Sequence, residues 1–353
     1  MILSILTLIG ALGMFLYGMN MMSSGLQKAA GNGLRRFVSS ITSNPLKGVA
    51  TGLGVTAVIQ SSSATTVMVV SFVNAGILTL SQAIGVIMGA NIGTTFTAWI
   101  IALFGFKADI SVLAVPLMAA GFIMSISKKG KIKDIGEIVV GFSLLFLGLS
   151  FMKNSVPDLQ STPEALSFIQ SWSGHGLWSI LLFVAVGTVL TLVLQSSSAT
   201  VALTLIVLNM GWIKFDMAAA MVLGENIGTT ITANIAATVG NYSAKRTAMA
   251  NTLFNVIGVV LALLFFNPLM RLVGAMTTAI GFDNPVTLFN GSIAADGYSF
   301  EQQNSMLYGI CILHTVFNLS TTLILVWFIP QLVKAVNRII PTPKGEEEVY
   351  RLK

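Results

Sequence analysis

Charged side chains are scarce in this sequence. Asp, Glu, Lys and Arg make up only 9% of the 353 residues, whereas hydrophobic residues make up 54%. A soluble globular chain is about one quarter charged, and several windows of this chain are apolar over a length that crosses a bilayer. The shortage of charge therefore excludes an ordinary soluble domain and predicts an all-α polytopic membrane protein.

Three further observations bear on the class of the protein. The single cysteine, Cys311, rules out an intramolecular disulfide and a multi-cysteine metal site. The net charge of +6 does not predict nucleic acid as a partner, because the basic residues gather in loops that are predicted to face the cytoplasm. The first segment has no basic start and no small-residue cleavage site, so we expect a retained helix rather than a signal peptide.

Polar groups are concentrated in a pattern that occurs twice. Gln-Ser-Ser-Ser-Ala-Thr spans 60–65 and recurs at 195–200, and Asn-Ile-Gly-Thr-Thr spans 91–95 and recurs at 226–230. Both motifs recur at the same offset, so the spacing between them is equal in the two halves. Hydroxyl and amide groups at this density in an apolar chain are costly unless a polar ligand uses them. The duplication therefore points to a substrate pathway.

The apolar segments indicate seven full membrane spans and two helical hairpins. The hairpins are 46–76 and 177–211, each with the serine cluster in its middle. Behind each cluster the apolar arm, 64–75 or 199–210, would be about 18 Å long as a helix, against a hydrocarbon core of roughly 30 Å. Both hairpins are therefore predicted to be re-entrant. The predicted spans are 2–22, 80–104, 110–127, 135–152, 215–239, 247–267 and 305–329.

Loop charges predict the orientation of this topology. The segments 23–47 and 128–134 are basic, whereas 153–174 and 282–304 carry mostly acidic residues. With the N-terminus outside and both hairpins returning to the side from which they enter, the basic loops lie inside and the acidic loops outside. If each hairpin crossed the membrane once, the 128–134 lysine cluster would lie outside. In the favoured topology, with both hairpins re-entrant, the C-terminus is cytoplasmic.

The same topology predicts two inverted-topology repeats, because three full spans separate equivalent points of the two halves. Each repeat would contain one re-entrant hairpin and one broken, unwound helix, as is typical of secondary transporters with a site near the midplane. The predicted segments are repeat 1 at 1–134, with hairpin 46–76 entering from the cytoplasm and broken helix 80–104; repeat 2 at 135–281, with hairpin 177–211 entering from outside and broken helix 215–239; an outer loop and final helix at 282–335; and a cytoplasmic tail at 336–353.

The chemistry of the two motifs suits an oxyanion and sodium. A tip where a helix begins presents backbone N–H groups and the positive end of the helix dipole, which favour an oxyanion. Unwound carbonyls and side-chain oxygens favour sodium, and the glycine of each Asn-Ile-Gly-Thr-Thr motif predicts a break in its helix. We expect both tips to meet both broken helices near the midplane. The alternative, serines that pack and bond to the preceding turn, accounts less well for two copies with equal spacing.

The paired motifs resemble the hallmark of the type II sodium-dependent phosphate cotransporter family. The resemblance covers about residues 1–335 and includes Gly89–Thr95 and Gly224–Thr230 as well as both serine clusters. It implies sodium-coupled symport of inorganic phosphate into the cell by alternating access, in the plasma membrane, with no enzymatic activity and no cofactor beyond sodium as the coupling ion. Many bacterial members continue into a PhoU-like cytoplasmic domain, which would begin near 341–348, so we expect a bacterial member without that domain in this chain.

The resemblance also implies which residues bind the two solutes. The implied phosphate ligands are Ser61, Ser62, Ser63, Asn91, Ser196, Ser197, Ser198 and Asn226. The implied sodium ligands are Gln60, Thr65, Thr94, Thr95, Gln195, Thr200, Glu225, Thr229 and Thr230. The expected partners are inorganic phosphate, sodium and the lipid bilayer, and a homodimer stays open.

One position breaks the symmetry of the repeats. Ala90 in the first half corresponds to Glu225 in the second, the only acidic residue deep within a predicted span. A carboxyl group there is a functional candidate, since it would attract sodium when ionised and could couple protons when protonated. The alternative is a structural pairing with a helix end. No lysine or arginine is predicted near either motif, so hydroxyls, amides, helix ends and cotransported cations would hold the anion.

Three other functions stay open at this point. The same residues suit a proton-coupled oxyanion transporter or an anion channel lined by hydroxyls. An intramembrane serine hydrolase would use Ser62 or Ser197 as nucleophile and His314 as base, but the serine clusters are duplicated and no histidine accompanies either copy in register. Outside that mechanism, His314 is expected to be a hydrogen-bonded packing residue of the last span.

Overall fold

A computed structural model describes residues 2–40, 44–107, 110–155, 171–172, 174–288 and 298–342. Within these ranges the chain is helical and contains no β-strand, which confirms the all-α prediction. A π-helical segment, Ile101–Lys107, directly follows the helix Leu80–Ile100, and a 3₁₀ segment, Val326–Phe328, joins the helix Phe300–Leu325 to the helix Ile329–Ile339. The α-helices are α1 (Ile2–Ser40), α2 (Pro45–Ile59), α3 (Ser62–Asn74), α4 (Leu80–Ile100), α5 (Ser111–Ser125), α6 (Gly130–Ser155), α7 (Leu177–Leu194), α8 (Ser197–Asn209), α9 (Phe215–Gly228), α10 (Thr230–Ala237), α11 (Tyr242–Leu264), α12 (Phe266–Ala279), α13 (Phe300–Leu325) and α14 (Ile329–Ile339).

The helices confirm a polytopic membrane protein. Six segments of the described chain are long and apolar enough to cross a bilayer, and five of them contain most of a predicted span. The sixth is α7, one arm of the second hairpin. Of the two remaining predicted spans, 110–127 is the shorter helix α5, and 215–239 consists of the helices α9 and α10. The re-entrant paths and the number of full crossings therefore stay predictions. The six segments are Leu3–Gly31, Leu80–Phe106, Gly130–Ser155, Leu177–Leu194, Tyr242–Leu264 and Phe300–Ile339.

The first helix is longer than the sequence predicted. α1 continues beyond the predicted span 2–22 to Ser40, with a kink at Gly31, where φ is 56° and ψ is −148°. This backbone conformation suits glycine because no Cβ is present to clash. The segment 23–47, predicted to be a basic loop, is therefore helical as far as Ser40.

The chain forms two compact units, each assembled from three segments. The first unit contains the second hairpin, and the second unit contains the first hairpin. The predicted repeat boundaries at 134 and 281 stay predictions. The first unit is Met1–Ala29, Ala98–Glu225 and Phe265–His314, and the second unit is Ala30–Thr97, Asn226–Leu264 and Thr315–Lys353.

Both predicted helical hairpins are present, and their turns have the same backbone geometry. α2 ends at Gln60 and α3 follows Ser61, while α7 ends at Gln195 and α8 follows Ser196. The two glutamines have left-handed conformations with φ of 54° and 50°, and they are the only non-glycine residues of the described chain with positive φ. Such a residue stops the first arm, and the extended serine after it begins the second.

Each hairpin packs against the helix that carries the second motif through matching glycine contacts. A Cβ added to Gly52 in α2 would meet the carbonyl oxygen of Val86 in α4, and one added to Gly89 would meet that of Val49. Only a hydrogen atom fits at such a close approach of two backbones, so these glycines set the distance between the arm and the helix. The equivalent pairs of the second half are Gly187 with Met221 and Gly224 with Val184.

The predicted break in helix 80–104 is wrong, and the one in 215–239 is slight. α4 runs without interruption through the first Asn-Ile-Gly-Thr-Thr motif. In the second copy Thr229 separates α9 from α10 but keeps helical angles, φ −63° and ψ −19°. Gly93 serves close packing rather than an unusual backbone angle, since a Cβ there would lie 2.6 Å from the Cβ of Thr56 in the hairpin.

Candidate functional site

Serine caps fix the start of the second arm at each hairpin tip. The Ser61 hydroxyl accepts a hydrogen bond from the Ala64 backbone N–H at 3.1 Å, and the Ser196 hydroxyl accepts one from Ala199 at 3.3 Å. This is the usual N-cap interaction, and it leaves other first-turn N–H groups without partners inside the helix. Each tip therefore combines a helix start with further serine hydroxyls in its first turn.

A threonine pair closes each hairpin just behind its tip. Thr56 donates a hydrogen bond to the Thr65 hydroxyl at 2.9 Å, and Thr191 donates one to the Thr200 hydroxyl at 2.9 Å. Thr65 and Thr200 also donate to the carbonyl oxygens of the capping serines, and both side chains are fully buried. The structure thus assigns these two hydroxyls a role in joining the arms, while sodium ligation by them stays a prediction.

The two tip glutamines differ in their surroundings. Gln60 is buried; its side-chain amide donates to the Ala57 carbonyl at 2.5 Å, and its Oε1 accepts a hydrogen bond from Thr97 at 3.0 Å. Gln195, in contrast, is exposed. The turns share one backbone geometry but hold their glutamine side chains differently.

Four polar side chains of the Asn-Ile-Gly-Thr-Thr motifs, those of Asn91, Thr94, Thr95 and Thr230, bond within their helices. The Asn91 amide donates to the Ile87 carbonyl at 2.9 Å, and Thr95 donates to the Ile92 carbonyl at 2.8 Å. The matching residue of the second copy, Thr230, donates to the Ile227 carbonyl at 2.8 Å. These bonds satisfy the side chains without unwinding the helix, which is why the first predicted break is absent.

The structure divides the predicted ligands between the two units. The second unit holds the first tip together with both Asn-Ile-Gly-Thr-Thr motifs, and the first unit holds the second tip and Glu225. That all of them form one site stays a prediction. The second unit contains Gln60, Ser61, Ser62, Ser63, Thr65, Asn91, Thr94, Thr95, Asn226, Thr229 and Thr230, and the first contains Gln195, Ser196, Ser197, Ser198, Thr200 and Glu225.

Small side chains hold the first hairpin in place within the second unit. Val70 of α3 packs in one cluster with alanines of α10 and α11. At the foot of the hairpin, the Asn74 side-chain oxygen accepts a hydrogen bond from the Asn241 N–H at 2.8 Å, and the Asn241 amide donates to the Asn74 carbonyl at 3.0 Å. The arm behind the first tip is therefore held at Val70 and at its end, Asn74.

Glu225 has a close partner that the sequence did not suggest. Its Oε1 lies 3.3 Å from the Nε2 of His314, and the two side chains are 1% and 0% exposed. Neither carboxyl oxygen accepts a hydrogen bond from any described residue. In the sequence His314 is a lone histidine far from Glu225, so no local pattern could have paired them.

The fold and the tips together define the class of the protein. It is a polytopic helical membrane protein with two serine-capped hairpins of equal geometry, each packed through glycines on a helix rich in hydroxyl and amide groups. Duplicated, polar helix interruptions in an apolar chain are typical of secondary transporters.

Comparison with known proteins gives the family. The model of the Na+/Pi-cotransporter family matches residues 14–154 and 170–283, and the chain belongs to this family. No solved structure is significantly similar to the chain.

Three relatives show how the similarity is distributed. The chain is 35% identical over 271 residues to the uncharacterized protein YqeW of Bacillus subtilis, covering 76% of this chain and 81% of that protein. It is 30% identical over 277 residues to the "Putative inorganic phosphate export protein YjbB" of Salmonella typhimurium, covering 78% of this chain and 49% of that protein. It is 45% identical over 101 residues to the "Sodium-dependent phosphate transport protein 2B" of Homo sapiens, covering 28% of this chain and 15% of that protein. The chain thus spans about half the length of the relative named for export.

Proposed function

We propose that the protein is a secondary transporter that couples the movement of inorganic phosphate to that of sodium by alternating access. The family and the names of two relatives, one for phosphate export and one for sodium-dependent phosphate transport, support the substrate and the coupling ion. Inward symport is the direction we propose, as the resemblance of the paired motifs to sodium-dependent phosphate cotransporters implies.

The observation that carries this proposal is the repeated geometry of the hairpin tips. Each tip presents the start of a helix whose cap is a serine and whose first turn contains two more serines. Backbone N–H groups and hydroxyls at a helix start donate to the oxygens of an anion and add the positive end of the dipole. Ser62 and Ser63 are partly exposed, so their hydroxyls are accessible to an oxyanion.

Sodium would supply positive charge near the motifs, where the sequence predicts no lysine or arginine. Gln60, Glu225 and the threonines of both motifs offer the oxygen atoms that sodium prefers, and we propose them as its ligands. We expect hydrogen phosphate to bind poorly without sodium, because a divalent anion would then meet a region containing a carboxyl group and no cationic side chain. Calorimetry on the purified protein, with choline in place of sodium, measures this; equal phosphate affinity in both salts would contradict the proposal.

Outward transport is the second candidate, because relatives similar over most of this chain are named for phosphate export. The same coupled cycle runs in either direction, and the gradients of the two solutes decide which. Proton coupling at Glu225 is a further alternative, and an uncoupled anion channel is another.

Radiolabelled phosphate flux in proteoliposomes tests these alternatives. An imposed sodium gradient should drive accumulation, whereas a proton gradient alone should not. The double variant Ser62→Ala/Ser197→Ala should lower accumulation by about tenfold or more, since hydrogen bonds to a charged ligand contribute about 1.5–3 kcal/mol each. Ser71→Ala is the matched control, because this serine lies exposed on the same helix as Ser62 and its hydroxyl donates to the Val67 carbonyl in its own helix.

Three results would change the assignment. Accumulation driven by protons alone would support the proton-coupled alternative, and non-saturating flux that only equilibrates would support a channel. Failure of both gradients to drive any movement would end the transporter proposal.

A further inference from the structure

We propose that a groove between α1, α5 and α6 binds an anionic phospholipid of the cytoplasmic leaflet, with the phosphate at two lysines and an acyl chain along the apolar end. The groove has a volume of about 590 Å³, and its lining residues lie within 17–28, 122–125 and 133–140, all in the first unit. Lipid binding there does not depend on the proposed transport cycle, so it can be measured without any flux.

Close packing of two helices against α6 creates the groove. A Cβ added to Gly18 of α1 would meet the backbone of Leu145 in α6, and one added to Gly121 of α5 would meet the backbone of Val140. α1 and α5 thus both lie against α6, and the groove runs between them. The lining residues recur at helical spacing, which places each set on one face of its helix: 17, 21, 24 and 28 in α1, and 133, 137 and 140 in α6.

The charged groups of the groove lie at one end. Lys28 and Lys133 line it together with Glu137, and the Nζ of Lys28 is 2.6 Å from the Oε2 of Glu137. The Lys28 side chain is still 51% exposed, and an ammonium group has three hydrogens to donate, so it can bond to Glu137 and to a phosphate oxygen at once. Lys133 is exposed and makes no ion pair within the described chain. Two ammonium groups therefore face one carboxylate, and this end of the groove favours an anion.

The sequence around the charged end is basic as well. Lys128, Lys129 and Lys131 precede the lining lysine of α6, and the only acidic residues within 23–40 and 126–140 are Asp134 and Glu137. The loop charges predict that these segments face the cytoplasm. A basic recess between helices at that surface is suited to the phosphate of an anionic lipid.

The other end of the groove is apolar and opens to the surface of the helices. Tyr17 of α1 and Phe122 of α5 are each 60% exposed, and Met21 and Val140 line the groove beside them. Tyr17 lies eleven residues before Lys28, which is about 16 Å along the helix and comparable to the hydrocarbon depth of one leaflet, about 15 Å. A phospholipid matches both ends of the groove, whereas a free phosphate would contact only the charged end.

Retention of a defined lipid by the purified protein tests the proposal. The full chain is titrated in detergent with dioleoylphosphatidylglycerol, and native mass spectrometry counts the lipid molecules retained. Dioleoylphosphatidylcholine, which has the same acyl chains and no net charge, is the reference. The wild type should retain one phosphatidylglycerol at about one tenth or less of the concentration needed for phosphatidylcholine, because each lysine near the membrane surface favours anionic lipid. Equal retention of the two lipids would overturn the proposal.

Two double variants separate the groove from the general charge of the loop. Lys28→Gln/Lys133→Gln should raise the phosphatidylglycerol concentration for half-maximal retention by about tenfold or more. Lys129→Gln/Lys131→Gln removes the same charge at exposed positions outside the groove, and its retention should stay close to that of the wild type. An equal loss in both double variants would mean that the loop attracts anionic lipid without a defined site, and the groove would be excluded.

The apolar end is tested without changing any charge. Met21→Trp fills the groove with an indole and should weaken phosphatidylglycerol retention by about tenfold, whereas Ile9→Trp, at an exposed position of the same helix outside the groove, should not. Unchanged retention in a folded Met21→Trp contradicts the site. Phosphatidylglycerol with a diazirine on its acyl chain gives a second measurement on the wild type: cross-links should concentrate near Tyr17 and Phe122, and the same distribution with diazirine-labelled phosphatidylcholine would overturn the site.

Two further results would assign the groove to another occupant. Complete displacement of the retained phosphatidylglycerol by inorganic phosphate would indicate a site for the free anion. A dimer that is present in the wild type and lost in Met21→Trp, with lipid retention unchanged, would indicate a second copy of the chain. Either result overturns the lipid site and leaves the proposed sodium coupling untouched, since failure of the coupling shows only in the flux measurements.

Discussion

The two tip glutamines show backbone strain at single residues. Gln60 and Gln195 are the only non-glycine residues of the described chain in a left-handed conformation, which costs about 1–2 kcal/mol for a side chain with a Cβ. Strain that recurs at equivalent positions indicates a use for the side chain beyond stability. Glycine would adopt the same turn without this cost. The presence of glutamine at both strained positions therefore points to a role for its side chain.

Replacing each glutamine with glycine should therefore have opposite effects on stability. Gln195→Gly should raise the stability by up to about 1 kcal/mol, since it relieves strain and removes only an exposed side chain. Gln60→Gly should lower it by about 1–2 kcal/mol, because the bonds to Thr97 and Ala57 are lost. Thermal unfolding in detergent measures both. Equal destabilisation by the two variants would show that the second glutamine has a partner that compensates its strain.

Sodium dependence should respond to Glu225 more than phosphate affinity does. Glu225→Gln removes the only acidic group predicted deep within a span, so the sodium concentration for half-maximal uptake should rise by about tenfold or more, as expected when an ion pair in a buried site is lost. The phosphate concentration for half-maximal uptake, measured at saturating sodium, should change less. Glu301→Gln at the exposed start of α13 is the control, and unchanged sodium activation in Glu225→Gln would contradict the assignment.

At the scale of the helix, the capping serines allow stability and anion binding to be separated. Ser61→Ala should cost about 1 kcal/mol, because the cap bond to Ala64 is lost. Ser61→Asp keeps a capping oxygen but adds negative charge at the helix start, so stability should return while phosphate affinity falls by about tenfold or more. Asn44→Ala, which removes the cap of α2 at the opposite end of the same hairpin, should lower stability without changing phosphate affinity. Full phosphate affinity in Ser61→Asp would place the anion elsewhere.

The glycine contacts between hairpin and helix make a second prediction at this scale. Gly52→Ala should destabilise the protein by about 1–3 kcal/mol or more, since its Cβ would overlap the Val86 carbonyl. Gly54→Ala, two residues further along α2, meets nothing within 4 Å and should raise stability by about 0.5–1 kcal/mol. Unfolding temperatures in detergent compare the two. A tolerant response at Gly52 would mean that the arm is not held against α4.

The helices also show where reasoning from sequence succeeded and where it could not. The hairpins were predictable because a serine cluster lies in the middle of each apolar segment and each second arm is too short to span the bilayer, whereas the left-handed glutamine and the serine cap at each tip were found only in the structure. The break at 91–95 was predicted wrongly because Gly93 permits either an unusual backbone angle or close packing. Sequence alone does not say that Thr56 would occupy the space of a Cβ at that glycine.

At the scale of the whole molecule, the long-range pairing was the least predictable feature. Glu225 was identified from its place in the repeat, but its partner His314 lies on a different helix, and only the fold brings the two within 3.3 Å. The equal offset of the motifs, in contrast, correctly predicted that the two halves repeat the same contacts. Thr56–Thr65 and Thr191–Thr200 are equivalent pairs, as are the glycine contacts of the two hairpins. The opposite orientation of the two halves is defined relative to the membrane and stays a prediction.

Cysteine accessibility in intact cells tests that orientation. Cys311→Ala gives a cysteine-free chain in one step, because it is the only cysteine of the sequence. Single cysteines are then introduced at Ile77, at the foot of the first hairpin, at His175, near the start of the second, and at Lys131, in the first turn of α6; all three positions are exposed. The inverted repeat predicts that a membrane-impermeant maleimide labels only the cysteine at 175 from outside, while those at 77 and 131 react after the membrane is opened. Labelling of 77 and 175 from the same side would mean that the hairpins enter from one face, and the two halves would then be parallel.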